Sequence, residues 1–229
     1  MTELSPADTL AAPDDWVADD WVAAEEARLL QAAISLAPRY GWSGQMLKAA
    51  SRRLGISDAD ISLILPQGPR DLAALLSRRH DGVALRALED VDPMTLKVRE
   101  RIRTAVLARV GAAAADEPAL RRWSGFLALP GNMALGLRLA WESADLLWRW
   151  AGDTATDENH YSKRAILSEI LITTLAIRLS GGENAALAHL DGRIGAVMAF
   201  EKWKAGVKPL DGARRVVSAL GRLRYGRAA

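Results

Sequence analysis

Cysteine is absent from this chain, and histidine occurs only three times in 229 residues. Without cysteine there are no disulfides, thiolate metal ligands or cysteine nucleophiles. The strongest metal-like group is Asp153, Asp157, Glu158 and His160, but no Glu-x-x-His pair of the kind that builds di-iron sites in helical bundles occurs. Nucleophile-elbow, phosphate-loop and dinucleotide-binding motifs are also missing. We therefore predict a protein that is not an enzyme and has no metal and no cofactor.

Long apolar runs and sheet-forming residues are scarce as well. No uninterrupted run approaches the roughly 20 apolar residues that span a bilayer. Phenylalanine and tyrosine together number five, whereas half of the chain is apolar and rich in alanine and leucine. This composition favours helices over strands, so we predict an all-α fold.

Basic residues are absent from the first 26 positions, which carry eight acids. Such a start resembles neither a secretory signal nor a mitochondrial presequence, and we expect an intracellular bacterial protein. At the other end, residues 201–229 hold eight lysines and arginines against two acids. We therefore expect this basic end to be the part of the chain that contacts an acidic surface.

The first half of the chain has the pattern of a helix-turn-helix. After an acidic arm at 1–22, helical periodicity starts near Ala24 and is broken at Pro38. A short helix ends at Gly55, another begins at the capping residue Ser57, and a longer one follows. This arrangement, over 23–90, resembles the N-terminal part of TetR-type regulators. The helix in the recognition position, 57–65, carries two acids and no base, which favours a retained scaffold without DNA binding.

Long amphipathic helices occupy the rest of the chain. We predict one helical domain over 91–205 and a separate helix over 206–229, giving a TetR-like bundle of about ten helices. Gly181 and Gly182 interrupt the pattern between two of the long helices.

The most unusual stretch is 151–164, AGDTATDENHYSKR, which follows a tryptophan-rich helix. Acids after a turn are explained in part by capping and by the helix dipole. A well-capped helix behind a core helix is therefore one interpretation. The other is an interface, because aromatic residues and arginine anchor protein contacts.

Five ordered motifs resemble the ubiquinone-biosynthesis accessory lipid-binding family, that of the ninth Coq protein. They are residues 38–43 (PRYGWS), 66–68 (PQG), 129–132 (LPGN), 152–164 (GDTATDENHYSKR) after Trp141, Asp145 and Trp148, and 190–194 (LDGRI). Ala155 and His160 depart from the family pattern, which usually has serine and tryptophan there.

The resemblance implies a non-catalytic protein that holds an isoprenoid lipid or quinone intermediate and presents it to the di-iron demethoxyubiquinone hydroxylase. It implies a homodimer in a TetR-like fold, and no nucleic acid partner. A divergent ligand-responsive TetR-type repressor is the alternative. The expected partner-binding residues are Trp148, Asp153, Asp157, His160, Tyr161 and Arg164. The expected lipid-binding residues are Leu135, Leu139, Leu147, Ile166, Ile170, Leu171 and Leu175, a set that the sequence does not distinguish from an ordinary core.

The last segment has an apolar stripe beside arginines. Such a helix is suited to packing on the bundle surface, to packing on a second subunit, or to binding an anionic membrane. The family resemblance favours the membrane and implies peripheral attachment to the bacterial inner membrane from the cytoplasmic side. The expected membrane-binding residues are Arg214, Arg215, Val216, Val217, Leu220, Leu223 and Arg224.

Overall fold

The computed structural model describes the backbone of residues 15–154 and 158–206, and the side chains of 21–154 and 160–200. These residues form eight α-helices and one 3-10 helix, with no strand among them, which confirms the all-α prediction. About ten helices were expected, and the last of them, after Pro209, lies outside the described residues.

The helices follow one another with short connections. Their bounds are α1 Asp15–Tyr40, α2 Gly44–Leu54, α3 Asp58–Ile64, α4 Pro69–Ala87, η1 Pro93–Thr95, α5 Val98–Ala114, α6 Glu117–Leu127, α7 Met133–Trp150 and α8 Glu158–Gly206. Helix α1 begins nine residues earlier than Ala24, where the apolar period starts. Acids in the first turns of a helix are favoured by its dipole, so the acidic segment extends α1 rather than delaying it.

Local sequence signals set several helix ends. The Ser57 hydroxyl accepts a hydrogen bond from the Asp60 backbone N–H and so caps α3. Gly55, with a φ of 72°, ends α2 in the left-handed conformation that glycine adopts without strain. Helix α3 itself carries Asp58 and Asp60 and no basic residue, as the sequence indicated.

The chain divides into two compact units, the first ending at Ile172. In the first unit α1 packs on α2, α4 and α6, while α4 also packs on α5 and α7. Two buried indoles tie these helices together: Trp42 donates to the Ala119 carbonyl and Trp123 to the Ala73 carbonyl. Helices α1 and α4 together therefore connect most of the other helices of this unit.

The second unit begins at Thr173, within α8, and contains a sharp reversal. Gly182 has a φ of 80° and a ψ of −172°, far from helical values, as the Gly181–Gly182 interruption in the sequence suggested. His189 Nε2 lies 2.9 Å from Thr173 Oγ1. Sixteen residues of straight helix would separate the two by about 24 Å, so the chain folds back at Gly182.

Length and composition alone would allow one stretch of α8, His160–Phe200, to cross a membrane. Its hydropathy comes from apolar residues spread among polar ones, which a search for uninterrupted runs does not detect. Core helices of soluble proteins satisfy the same criterion, so the finding is weak evidence for a span.

A polar network lies in the core between α4, α5 and α7. Arg109 Nε donates to Asp81 Oδ1 at 2.5 Å, and the Ser143 hydroxyl donates to the same oxygen at 2.7 Å. Beside it, His80 is 1% exposed and its Nε2 lies 3.1 Å from Asp116 Oδ2. Burial and the nearby Arg109 charge lower the pKa of His80 from 6.5 to about 4, although Asp116 opposes the shift. His80 is therefore neutral in the folded protein near pH 7.

We expect His80 to make the protein less stable in acid. Its pKa is lower in the folded than in the unfolded chain, so between pH 6.5 and about 4 the unfolded state binds the additional proton. The free energy of unfolding should therefore decrease as the pH is lowered through this window, by up to about 1.4 kcal/mol per pH unit. Urea unfolding at several pH values measures this slope. In the upper part of this window, where carboxylates contribute little, the slope should largely disappear in His80→Gln and persist in the control His189→Gln. An unchanged slope in His80→Gln would contradict the assignment.

Candidate functional site

The tryptophan-rich helix α7 ends in a turn that fixes the start of the unusual stretch. The Gly152 N–H donates to the Arg149 carbonyl and the Asp153 N–H to the Trp148 carbonyl, both at 3.0 Å. With Gly152 at a φ of 83°, these bonds form a Schellman motif. The motif reverses the chain, so the Asp153 side chain can reach residues on α8.

Arg164 holds the two helices together at this turn. Its side chain is only 2% exposed. Nε donates to Asp145 Oδ1 at 2.5 Å and Nη1 to Asp153 Oδ2 at 3.0 Å. Nη1 also donates to the His160 carbonyl at 3.2 Å. The planar guanidinium thus joins α7, the turn and the first part of α8 with charge-assisted hydrogen bonds.

Asp153 is shared by two cations. Lys163 Nζ lies 2.6 Å from Asp153 Oδ1, while Arg164 binds the other oxygen. Burial alone would raise the pKa of Asp153, but the hydrogen bonds and charges of Lys163 and Arg164 together lower it below the ordinary 3.8. The carboxylate is therefore ionised at neutral pH.

We call the junction of the end of α7, the turn at 151–153 and the start of α8 the α7–α8 corner. Trp148 lies on its inner side. Its indole N–H donates to the Lys163 backbone carbonyl at 3.0 Å, and the Lys163 ammonium lies 5.4 Å from the centre of its ring. The indole is half-buried. Its polar edge is thus occupied by α8, and part of its apolar face is left toward the surface.

The outer side of the corner is apolar and exposed. The Tyr161 side chain is 65% exposed, and its ring centre lies 6.3 Å from that of Trp141. Met133 and Leu137, on α7, are 52% and 59% exposed. Because positions four apart lie on one helix face, Met133, Leu137 and Trp141 form a row that leads to Tyr161. We call these four residues the α7–α8 stripe.

The predicted partner-binding residues divide into buried and exposed members. The side chains of Arg164 and Asp153 are 2% and 5% exposed and bind each other. They form the interior of the corner, not its surface. Trp148 is half-buried, His160 is partly buried with its ring 5.2 Å from that of Tyr161, and Asp157 lies outside the described residues. Among the five predicted residues that the structure describes, only Tyr161 is largely exposed.

Three of the four stripe residues, Met133, Leu137 and Trp141, were absent from the predicted partner-binding set. Their spacing of four along α7 was the available signal. Such a row is usually buried, because amphipathic helices turn their apolar side to the core. The direction of this row is a property of the packing, which periodicity alone does not give.

The predicted lipid-binding residues occupy interior positions. Leu139, Leu147, Ile170 and Leu171 are buried, and Leu135, Ile166 and Leu175 are half-buried. A groove of about 460 Å³ lies elsewhere, between α1 and α4, and includes Leu30, Leu75, Arg78 and Arg79 in its lining. None of the seven predicted residues lines this groove.

The predicted membrane-binding residues all lie in 207–229, outside the described part of the chain. Within the described part, no group of three or more histidine, aspartate or glutamate side chains could hold a metal ion.

Removing Arg164 should destabilise the fold strongly. Arg164→Ala would leave two carboxylates without their buried partner, which costs about 3–5 kcal/mol in free energy of unfolding. The matched control is Arg149→Ala. Arg149 pairs with the same Asp145 but is 73% exposed, so its loss should cost no more than about 1 kcal/mol. Urea unfolding of both variants measures the difference, and equal losses would contradict the buried network.

Comparison with known proteins identifies the region that contains this corner. Residues 133–201 match the COQ9 family model, just under a third of the chain. The matched segment includes the whole of α7, the turn and most of α8.

Curated relatives carry the same name. The ubiquinone biosynthesis protein COQ9, mitochondrial, of Homo sapiens is 28% identical over 157 residues, which is 64% of this chain and 48% of that protein. The Xenopus tropicalis protein of the same name is 27% identical over 161 residues, 66% and 50% of the two chains. COQ9-A of Xenopus laevis is 29% identical over 166 residues, again 66% and 50%. The chain thus spans about half the length of the curated relatives it matches.

Proposed function

We propose that this protein is a non-catalytic accessory protein of ubiquinone biosynthesis. In this proposal it binds an isoprenoid quinone precursor and presents it to the di-iron demethoxyubiquinone hydroxylase. The similarity to COQ9 proteins supports the pathway. The exposed α7–α8 stripe, which lies entirely within the segment matched by the family model, supports a protein partner.

The stripe has the properties of a docking surface. Three large apolar side chains, Met133, Leu137 and Tyr161, are each more than half exposed, and Trp141 is half-buried between them along the row. Contiguous apolar surface of this kind marks interaction sites on soluble proteins. Tyrosine, tryptophan and methionine are also the side chains enriched in interfaces. The Arg164 network beneath them holds α7 and α8 in fixed positions, which lowers the entropic cost of binding.

Two features support the lipid half of the proposal. The chain is rich in apolar helical residues around α7 and α8, and its basic end at 201–229 would attract anionic lipid. Each methylene of an isoprenoid tail costs roughly 0.8 kcal/mol when exposed to water, so a protein that covers the tail has a physical purpose. Attachment to the inner membrane and homodimerisation belong to the same proposal.

The lipid half is tested by organic extraction of the protein purified from its own host, followed by mass spectrometry. We expect an isoprenoid quinone precursor in near-stoichiometric amount, because its tail would not leave the protein for water during purification. An empty extract from the folded protein would contradict lipid binding and would leave a scaffold that acts only on its partner.

The docking half is tested with variants of the stripe. Leu137→Glu and Tyr161→Ala should each weaken binding of the purified hydroxylase roughly tenfold or more, since exposed anchors at interfaces contribute about 1–4 kcal/mol. Leu63→Glu is the matched control. Leu63 is also an exposed leucine, with 80% of its surface accessible, but it lies on α3 and not on either helix of the stripe. Surface plasmon resonance gives the dissociation constants.

If Leu63→Glu reduces binding as much as Leu137→Glu does, or if neither stripe variant has an effect, the partner does not dock on this surface. Thermal unfolding of all three variants accompanies the binding assay. Because the substituted side chains are exposed, their midpoints should remain close to that of the wild type.

The alternative, a divergent TetR-type repressor, is not favoured. DNA recognition requires a helix whose exposed face carries polar or basic side chains. Helix α3 exposes Asp58, Ala59, Ser62 and Leu63, and it has no basic residue to contact phosphate or bases.

A further inference from the structure

We propose that Arg101, with Met94, clamps the end of α7 and thereby positions the α7–α8 stripe for docking. Both residues precede the segment matched by the family model. The inference rests on the proposed function for its docking consequence, but its structural part stands on contacts in the described residues.

Arg101 joins two chain segments far apart in sequence. Its Nη1 donates to the Ala151 carbonyl at 2.9 Å, and its Nε donates to the Leu96 carbonyl at 2.9 Å. Ala151 is the C-cap of α7, so its carbonyl is one of those that have no partner within the helix. A guanidinium at this position satisfies that carbonyl and is attracted by the negative end of the helix dipole.

Met94 covers the glycine that makes the turn. A Cβ atom built on Gly152 would clash with Met94 Cε and would lie 3.6 Å from Arg101 Nη1. The Met94 methyl group therefore rests directly on the Gly152 backbone. Gly152 is needed for its φ of 83°, a conformation that other residues rarely adopt.

The clamp is itself fixed by local hydrogen bonds. Asp92 Oδ1 accepts from the Met94 N–H at 2.8 Å, and Thr95 Oγ1 donates to the Asp92 carbonyl at 2.7 Å. The Lys97 N–H donates to Glu100 Oε2 at 3.0 Å at the start of α5. These hydrogen bonds set the local backbone conformation of the segment that carries Met94 and leads to Arg101.

The turn transmits this position to the stripe. Asp153 directly follows Gly152 and binds Lys163 and Arg164, which set the first turns of α8 and so the placement of Tyr161. Arg101 is a positioning residue in this scheme: it acts on the stripe through the turn and Asp153.

The experiment uses the indole N–H signals of ¹⁵N-labelled full-length protein. Trp148 donates to the Lys163 carbonyl and reports on the corner, whereas Trp42 and Trp123 donate to carbonyls elsewhere in the first unit and serve as internal references. Trp148→Phe, Trp42→Phe and Trp123→Phe assign the three signals. The variants are Arg101→Ala, Arg101→Lys and the control Arg99→Ala, an exposed arginine two residues earlier on the same helix.

We expect Arg101→Ala to shift the Trp148 signal and to speed its hydrogen exchange, while the Trp42 and Trp123 signals stay in place. Arg101→Lys keeps a cation near Ala151 but replaces two separate donor nitrogens by one, so its effect should be intermediate. Arg99→Ala should match the wild type. If Trp148 is unchanged in Arg101→Ala, or if all three indoles shift together, the clamp is refuted.

Docking is measured on the same proteins with the purified hydroxylase. Binding should weaken roughly tenfold in Arg101→Ala, equivalent to the loss of about 1.4 kcal/mol, and should recover in part in Arg101→Lys. Wild-type affinity in an Arg101→Ala protein with a shifted Trp148 signal would refute the control of docking by the clamp. If the wild type itself does not bind, the proposed partner is wrong, and the indole spectra still decide the clamp.

Discussion

The arrangement of the candidate site depends on one buried cation. Arg164 is almost inaccessible to water, and its guanidinium is held by two carboxylates from different segments and by a backbone carbonyl. Burying a charge is costly, so the arrangement is stable only when all the partners are in place. The network therefore permits one geometry of α7, the turn and α8. The positions of the more exposed aromatic residues, Trp141 and Tyr161, therefore depend on this network.

This division of roles explains why charged and aromatic residues cluster in one short stretch. The charged members, Asp145, Asp153 and Arg164, are internal and specify the shape of the corner. The apolar members, Trp141 and Tyr161, face outward at least in part. Sequence patterns of interfaces would suggest the opposite arrangement, in which an arginine forms part of the contact surface.

The sequence was sufficient for much of the fold. Ser57, Gly55 and the Gly181–Gly182 pair are local signals whose effects reach only a few residues, and the structure places a cap, a helix end and a reversal at those positions. The long amphipathic helices predicted after residue 91 are present as α5, α6, α7 and α8. The start of α1 was predicted too late because an acidic segment can either be solvated coil or extend a helix.

Burial within the site could not be predicted in the same way. Whether Arg164 is exposed or Met133 and Leu137 are buried depends on which neighbours cover them, and those neighbours come from other helices. The contribution of Arg101 was equally hidden, since Arg101 and Ala151 are 50 residues apart. Sequence periodicity reports on local structure and does not indicate contacts between residues so far apart in the chain.

The short sequence distances inside the corner also bear on how the protein folds. Asp153 is ten residues from Lys163, and Arg164 is 19 residues from Asp145, so each ion pair closes a short loop. Short loops lose little chain entropy on closure and form quickly. The Asp81–Ser143 bond in the core spans 62 residues and must wait for distant segments to meet. The α7–α8 corner is therefore expected to assemble early, as a local nucleus onto which the remaining helices pack.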